Sequence, residues 1–312
     1  MTTIDGSKAG GGFEKFGEDA EWFRKKLAEE GVKLNGGSPM DEALKAMSKI
    51  ADTVTYGIEP ELPNGEALLR LLTDGVGGRN LVQFVRKAVG IDPGVFDGKW
   101  WLFRGPDALL ARYRGQSSTR NFIWELYVAA RCLLGTKDVQ VARANENPDV
   151  RCSLGDDIWG IECKVPDSRD PERLMKLVKE AARQLQGTDI DRGVIAVNLT
   201  SVLDHSRFAR SIAQYDTSMY TPSDIMDELQ RQVKTLVRPY ASAAFGTWIK
   251  NRRKPRAILF HADAIALAGK TVAMTTYQNW FDLHHPGRNP LIVPFMWPEA
   301  ADRAMASVFD MK

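Results

Sequence analysis

The chain has 312 residues, 44% apolar and 26% charged, which is ordinary globular composition with length for two domains or one large one. Three cysteines, Cys132, Cys152 and Cys163, are too few and too oddly numbered for a disulfide framework and match no zinc spacing, so they read as reduced core residues of a cytoplasmic protein. The opening MTTIDGSKAGGGFEKF holds no apolar run suited to a signal peptide, and no segment reaches the roughly 18 apolar residues of a membrane span.

The net charge of +2 says less than its distribution. Residues 1–66 hold 13 acidic and 8 basic side chains, whereas residues 231–256 hold Arg231, Lys234, Arg238, Lys250, Arg252, Arg253, Lys254 and Arg256 with no acid. The first stretch repels polyanions and the second attracts them.

In chain order, the glycines at 10–12 read as an irregular start, and amphipathic runs predict helices near 18–30, 40–52, 64–73 and 79–89. Gly105, Pro106 and Gly115 mark loops. The chain therefore divides into a helical region, 1–116, and a second domain, 117–312. Ser118 or Thr119 can cap a helix with Phe122, Leu126, Ala129 and Leu133 on one face, stopped at Gly135. Strands are predicted at 138–143, 149–154 and 158–165. Asp170 and Pro171 supply a cap and first position for a second helix, whose stripe is Leu174, Leu177, Val178, Ala181 and Leu185, with Gly187 beyond it. GVIAVNLT, residues 193–200, reads as a buried strand, so the order is α, β, β, β, α, β. Further on, a helix is expected over Pro222 to Val237, strands at 257–261 and 291–295, and a last helix from Pro298. The class is α/β.

The chemistry lies in NENPDVRCSLGDDIWGIECKVP, residues 145–166. Alternation puts Val150, Cys152 and Leu154 on one side of the first strand, and Trp159, Ile161, Cys163 and Val165 on the apolar side of the second. Glu162 and Lys164 then share the opposite side, and hairpin pairing can bring Asp149 close to them. Neighbouring carboxylates repel unless a cation shares their site. Oxygen ligands with open positions suit Mg²⁺, and a lysine alongside can orient or help deprotonate a water, a combination suited to phosphodiester hydrolysis. The alternative is a cross-strand ion pair on a solvent face.

Pro148-Asp149, twelve intervening residues and then Glu162-Cys163-Lys164 resemble the PD-(D/E)xK signature. The element order of residues 118–200 resembles the core of that restriction endonuclease-like superfamily. The resemblance implies a metal-dependent nuclease, endonuclease rather than exonuclease, with Mg²⁺ held by Asp149, Glu162, the Cys163 backbone carbonyl and Glu125, and with Mn²⁺ able to substitute. Lys164 would act on the attacking water. Glu125, bordering the stripe of the first helix with no basic residue three or four positions away, matches the family's helical glutamate. Gln184, at the border of the second stripe, matches a supporting glutamine. DNA is favoured over RNA as partner, with no membrane, and a dimer or larger assembly is implied if both strands are cut. A silent nucleic-acid-binding or assembly subunit of the same fold is the second reading.

Arg252, Arg253, Lys254 and Arg256 are candidate phosphate contacts, with a solvated turn as the alternative. Tyr240, Phe245 and Trp248 read as core. Lys176, Lys179 and Arg183 read as solvating charge, and His284-His285 lacks zinc spacing.

Overall fold

The computed structural model describes residues 14–56, 65–105, 118–133, 136, 138–142, 147–205, 207–208, 222–241, 243–250, 252–268 and 271–283. The expected Gly135 stop, the strand at 291–295, the helix from Pro298 and the His284-His285 pair lie outside these, as do the side chains of Ser118 and Thr119.

Helices α1 (Glu14–Glu29), α2 (Pro39–Tyr56) and α3 (Gly65–Ile91) open the chain. The expectation of two helices over 64–89 is corrected, because α3 runs unbroken through Asp74-Gly75-Val76-Gly77-Gly78. Glycine costs up to about 1 kcal/mol in a helix relative to alanine, but here close packing requires it. A Cβ on Gly75 would lie 2.4 Å from Ile50 Cδ1, and one on Gly78 would lie 2.8 Å from Ala43 Cβ, both on α2. The helices are cross-linked by buried Asp19 of α1, which accepts hydrogen bonds from Arg79 Nε (3.3 Å), Gln83 Nε2 (2.9 Å) and Arg86 Nη1 (2.9 Å) of α3.

After a 3₁₀ turn at Trp100–Arg104 come α4 (Ser118–Leu133), β1 (Gln140–Val141), β2 (Val150–Leu154), β3 (Asp157–Lys164), α5 (Pro171–Gln186) and β4 (Arg192–Asn198). This follows the order read from the sequence, and α5 begins as its signals predict, with Asp170 Oδ1 accepting from the Glu172 N–H at 2.9 Å and Pro171 in the first turn. Helices α6 (Pro222–Val237) and α7 (Ala243–Lys250) lead to β5 (Pro255–Ala268) and β6 (Thr271–Asp282). The sequence reading stopped the first of these strands at 261 and placed none at 271–282, because the alternation of TVAMTTYQNWFD is irregular although its Thr, Val, Tyr, Trp and Phe favour strands. It also missed the short helix α7.

The six strands form one mixed sheet in the order β1-β2-β3-β4-β5-β6. The β3–β4 and β4–β5 pairs are parallel and the others antiparallel. Both faces are covered. Helices α1 to α4 share a continuous core with Val150, Cys152, Trp159, Ile161, Cys163, Val194, Ala196 and Leu259. On the other face, α5, α6 and α7 pack over Ile195, Val197, Ile258 and Phe260. Every residue of β4 from Gly193 to Asn198 is therefore buried, as a central parallel strand demands. No helix among the described residues is long and apolar enough to cross a membrane.

Candidate active site

Alternation along β3 sends Trp159, Ile161 and Cys163 into the core beneath α4. It sends Glu162 and Lys164 to the α5 face, where their register partners on β4 are Ile195 and Val197. That face is covered by a helix, so Glu162 has no exposed surface. Alternation can state which side a residue takes but not what covers that side; of the alternative reading, the Glu162–Lys164 ion pair is present but its solvent face is not.

Asp149 stands one residue before β2, whose first pair is Val150 with Ile161. Here the side chain replaces the ladder, and Asp149 Oδ2 accepts the Cys163 N–H at 2.7 Å. A strand residue's N–H and C=O point the same way, so the Cys163 carbonyl opens toward this same gap between β2 and β3. Pro148 is buried and fixes the approach of Asp149. A Cβ on Gly160 would lie 2.7 Å from Pro148 Cγ and 2.8 Å from Ile190 Cδ1, so Gly160 leaves the hollow in which Pro148 sits.

Lys164 joins the two carboxylates, with Nζ 2.9 Å from Glu162 Oε2 and 3.8 Å from Asp149 Oδ2. Burial pulls its pKa down, but Glu162 and Asp149 more than offset this and the net shift is upward, so Lys164 is an ammonium at neutral pH. Glu162 Oε1 is buried without a hydrogen-bond partner. Burial and then the charge of Asp149 push the Glu162 carboxyl up to about 7, against the pull of Lys164.

Glu125, buried on α4, lies within electrostatic range of the cluster. Its neighbour Trp124 is anchored by donating from Nε1 to the Ala196 carbonyl of β4 at 2.9 Å. The Glu125 carboxyl is pushed up to about 8, by burial first and then by Asp149, with Lys99 and Lys164 opposing. Lys99 was not foreseen. It arrives from the turn before α4, and its Nζ donates to the Ala142 carbonyl. A lysine from a separate element carries no spacing signal.

A second polar group missed from sequence lies where the parallel strands end. Buried His261 stands 3.0 Å from Asp263 Oδ2 and packs against Trp124 and Tyr127 at ring separations of 4.9 and 5.4 Å. The Asp263 N–H donates to Thr200 Oγ1, and the Thr200 N–H donates to Asn198 Oδ1. This network fixes Trp124, and through it the start of the turn that carries Glu125.

Asp149, Glu162 and Lys164 are thus brought together, and Glu125 feels their charges without a hydrogen bond or ion pair to any of them. Gln184 is not bonded to them. Its Oε1 is buried without a partner, and its side chain makes no hydrogen bond among the described residues. The four basic candidates differ in availability. Arg252 lies flat on Trp248 at 3.6 Å and donates to its carbonyl, Lys254 donates to the Thr188 carbonyl, and Arg256 Nε is buried without a partner. Arg253 is exposed. The three cysteines are free and buried, as expected.

Among the described residues, no group of three or more His, Cys, Asp or Glu is arranged to hold a metal ion. The Lys164 ammonium takes the place between Glu162 and Asp149 where such a charge would sit. No family model matches the chain, and neither a curated protein nor a solved structure matches it significantly.

Proposed function

We propose that the chain is a metal-dependent nuclease with a restriction endonuclease-like core, hydrolysing phosphodiester bonds in DNA in preference to RNA. The observation that carries the reading is Glu162, a wholly buried carboxylate with one oxygen unpartnered, set beside Asp149. Burying a carboxylate near others costs several kcal/mol, which a shared cation offsets; Lys164 supplies one positive charge against the carboxylates of Asp149, Glu162 and Glu125, so the cluster has charge left for a second cation.

The oxygen chemistry of these donors suits Mg²⁺, with Mn²⁺ as a substitute, and an ion would have to displace the Lys164 ammonium, since the carboxylates are not arranged to hold a metal while it lies between them. Asp149, Glu162 and the Cys163 carbonyl would hold the ion, with Glu125 as a further ligand or base. Such an ion supplies Lewis-acid stabilisation of negative charge on the phosphate oxygens. Lys164, being protonated, donates to the attacking water or to a phosphate oxygen and orients it, rather than accepting the first proton. The Asp149 bond to the Cys163 N–H holds its carboxylate in place, and the covering helix α5 keeps the Glu162 side of the site dry.

The second reading, a silent binding or assembly subunit, draws on the Lys164 ammonium that already satisfies two of the carboxylates. Calorimetry with Mn²⁺ separates the two, since the nuclease binds the ion and Glu162→Ala loses it. The direct test is incubation with plasmid, linear duplex, single-stranded DNA and RNA in Mg²⁺ or Mn²⁺, with chelator and Lys164→Ala alongside. Metal-dependent cutting that the variant lacks is expected; no cutting by either protein would overturn the proposal.

A further inference from the structure

We infer that the outer face of α5 and the 3₁₀ turn Arg238–Ala241 form a docking groove for a nucleic-acid backbone, separate from the carboxylate site. Pro171, Met175 and Pro239 line an open groove of about 480 Å³ whose rim carries Lys176, Lys179 and Arg183.

These cations fall at i, i+3 and i+7, so they share one face of the helix over about 10 Å. None of them makes an ion pair among the described residues. By contrast, the neighbouring Arg173 lies 3.9 Å from Asp170, and on α6 Arg231 pairs with Glu228. One acid, Glu172, lines the groove. The basic field continues across α7. Lys179 Nζ lies 5.3 Å from the centre of the Trp248 ring, and the Arg252 guanidinium covers that ring at 3.6 Å. Phe245 stacks against the same indole with a ring separation of 5.8 Å. Arg252 gives one N–H to the Trp248 carbonyl, which with the ring beneath fixes the guanidinium's orientation and leaves its other N–H groups to donate to phosphate. Arg253 is exposed one residue further on, and Arg238 next to Pro239.

The occupant is argued from this chemistry. The groove is open and basic along its length, with no convergent polar pocket of the kind that fixes a small metabolite. A membrane-binding face would leave large apolar side chains bare beside its cations, whereas the groove is lined by Met175 and two prolines and the neighbouring Trp248 is covered by Arg252. A regular row of cations with a rigid stacked arginine suits repeating phosphates. The inference rests on the nuclease reading in one respect: α5 carries the groove outside and covers Glu162 inside, so a strand leaving the carboxylate site meets the groove within about one helix diameter, roughly 10 Å.

The test measures binding of fluorescent duplex and single-stranded oligonucleotides in chelator, as a function of salt, for the full chain and for the double variant Lys176→Ala with Arg183→Ala. Both side chains are exposed, and the pair Lys176→Arg with Arg183→Lys serves as the charge-preserving control. Loss of two phosphate contacts is expected to weaken binding roughly tenfold and to reduce the salt slope on duplex by about 1.8, with the control near the parent. Unchanged affinity and slope, in a parent that binds and cuts, would remove the groove and leave the carboxylate site standing. A parent that binds neither DNA nor RNA would remove both. Vesicles containing phosphatidylserine form a parallel arm; a double variant that loses these but keeps nucleic acid would make the groove a lipid-facing surface and overturn the inference.

Discussion

Replacing Glu125 by glutamine should make the metal-free protein more stable while stopping the reaction. Glu125 is 6% exposed, and its pKa is raised from 4.5 to about 8 by burial first and the charge of Asp149 second. A carboxyl that holds its proton more tightly folded than unfolded costs nothing below about pH 4.5. Its ionisation then destabilises the fold progressively, and the cost is complete above about pH 8. At about 1.4 kcal/mol per pH unit of displacement the ceiling is about 5 kcal/mol. Local relaxation in an interior that responds like a medium of dielectric near 20 reduces this to about 2–3 kcal/mol. Glutamine has nearly the same shape and no charge at any pH. Urea denaturation in chelator should therefore find Glu125→Gln about 2–3 kcal/mol more stable than the parent at pH 8.5, and within about 1 kcal/mol of it at pH 4.5. A variant no more stable than the parent at pH 8.5, or one with a gain that does not depend on pH, would refute the claim that this carboxylate is held against its own ionisation.

Substitutions at three other positions test the surroundings. Asp149→Asn keeps an acceptor for the Cys163 N–H, so thermal denaturation should place it within about 1 kcal/mol of the parent while cutting falls at least about 100-fold; Asp149→Ala should lose a further 1–3 kcal/mol or so by orphaning that N–H, and equal stability of the two variants would deny the bond its role. Gly160→Ala should cost about 1–3 kcal/mol and also reduce cutting, since the new methyl displaces Pro148 and Asp149 with it; a fully active variant would count against this support. Asp19→Ala should cost about 3–5 kcal/mol in a denaturation series, because Arg79, itself 5% exposed, loses its buried partner; a loss under 1 kcal/mol would mean that solvent already reaches this network.

The parts of the molecule that were legible in the sequence are those with local causes. Asp170 and Pro171 announce α5, two-residue alternation assigns Glu162 and Lys164 to one side of β3, and a proline followed by aspartate marks where β2 begins. What was not legible depends on partners distant in the chain. Gly75 and Gly78 look like helix breaks until Ile50 and Ala43 are seen against them. Lys99 is an unremarkable loop lysine until its turn meets α4, and His261 is an isolated histidine in an apolar run until Asp263, Trp124 and Tyr127 close around it. The depth of Glu162 depends on α5 lying across its face, a fact that belongs to neither strand nor helix alone.

The bond from the Cys163 N–H to Asp149 has a use beyond holding the hairpin. At this step a backbone amide in the middle of a sheet ends on an ionisable oxygen rather than on a carbonyl, so its proton senses the charge of that oxygen directly. A cation drawn onto Asp149 competes for the same electron density and deshields or releases that proton. The Cys163 amide is therefore a resident gauge, visible as a single nitrogen–proton resonance and as a single exchange rate. It reports the state of the carboxylate cluster without substrate or turnover.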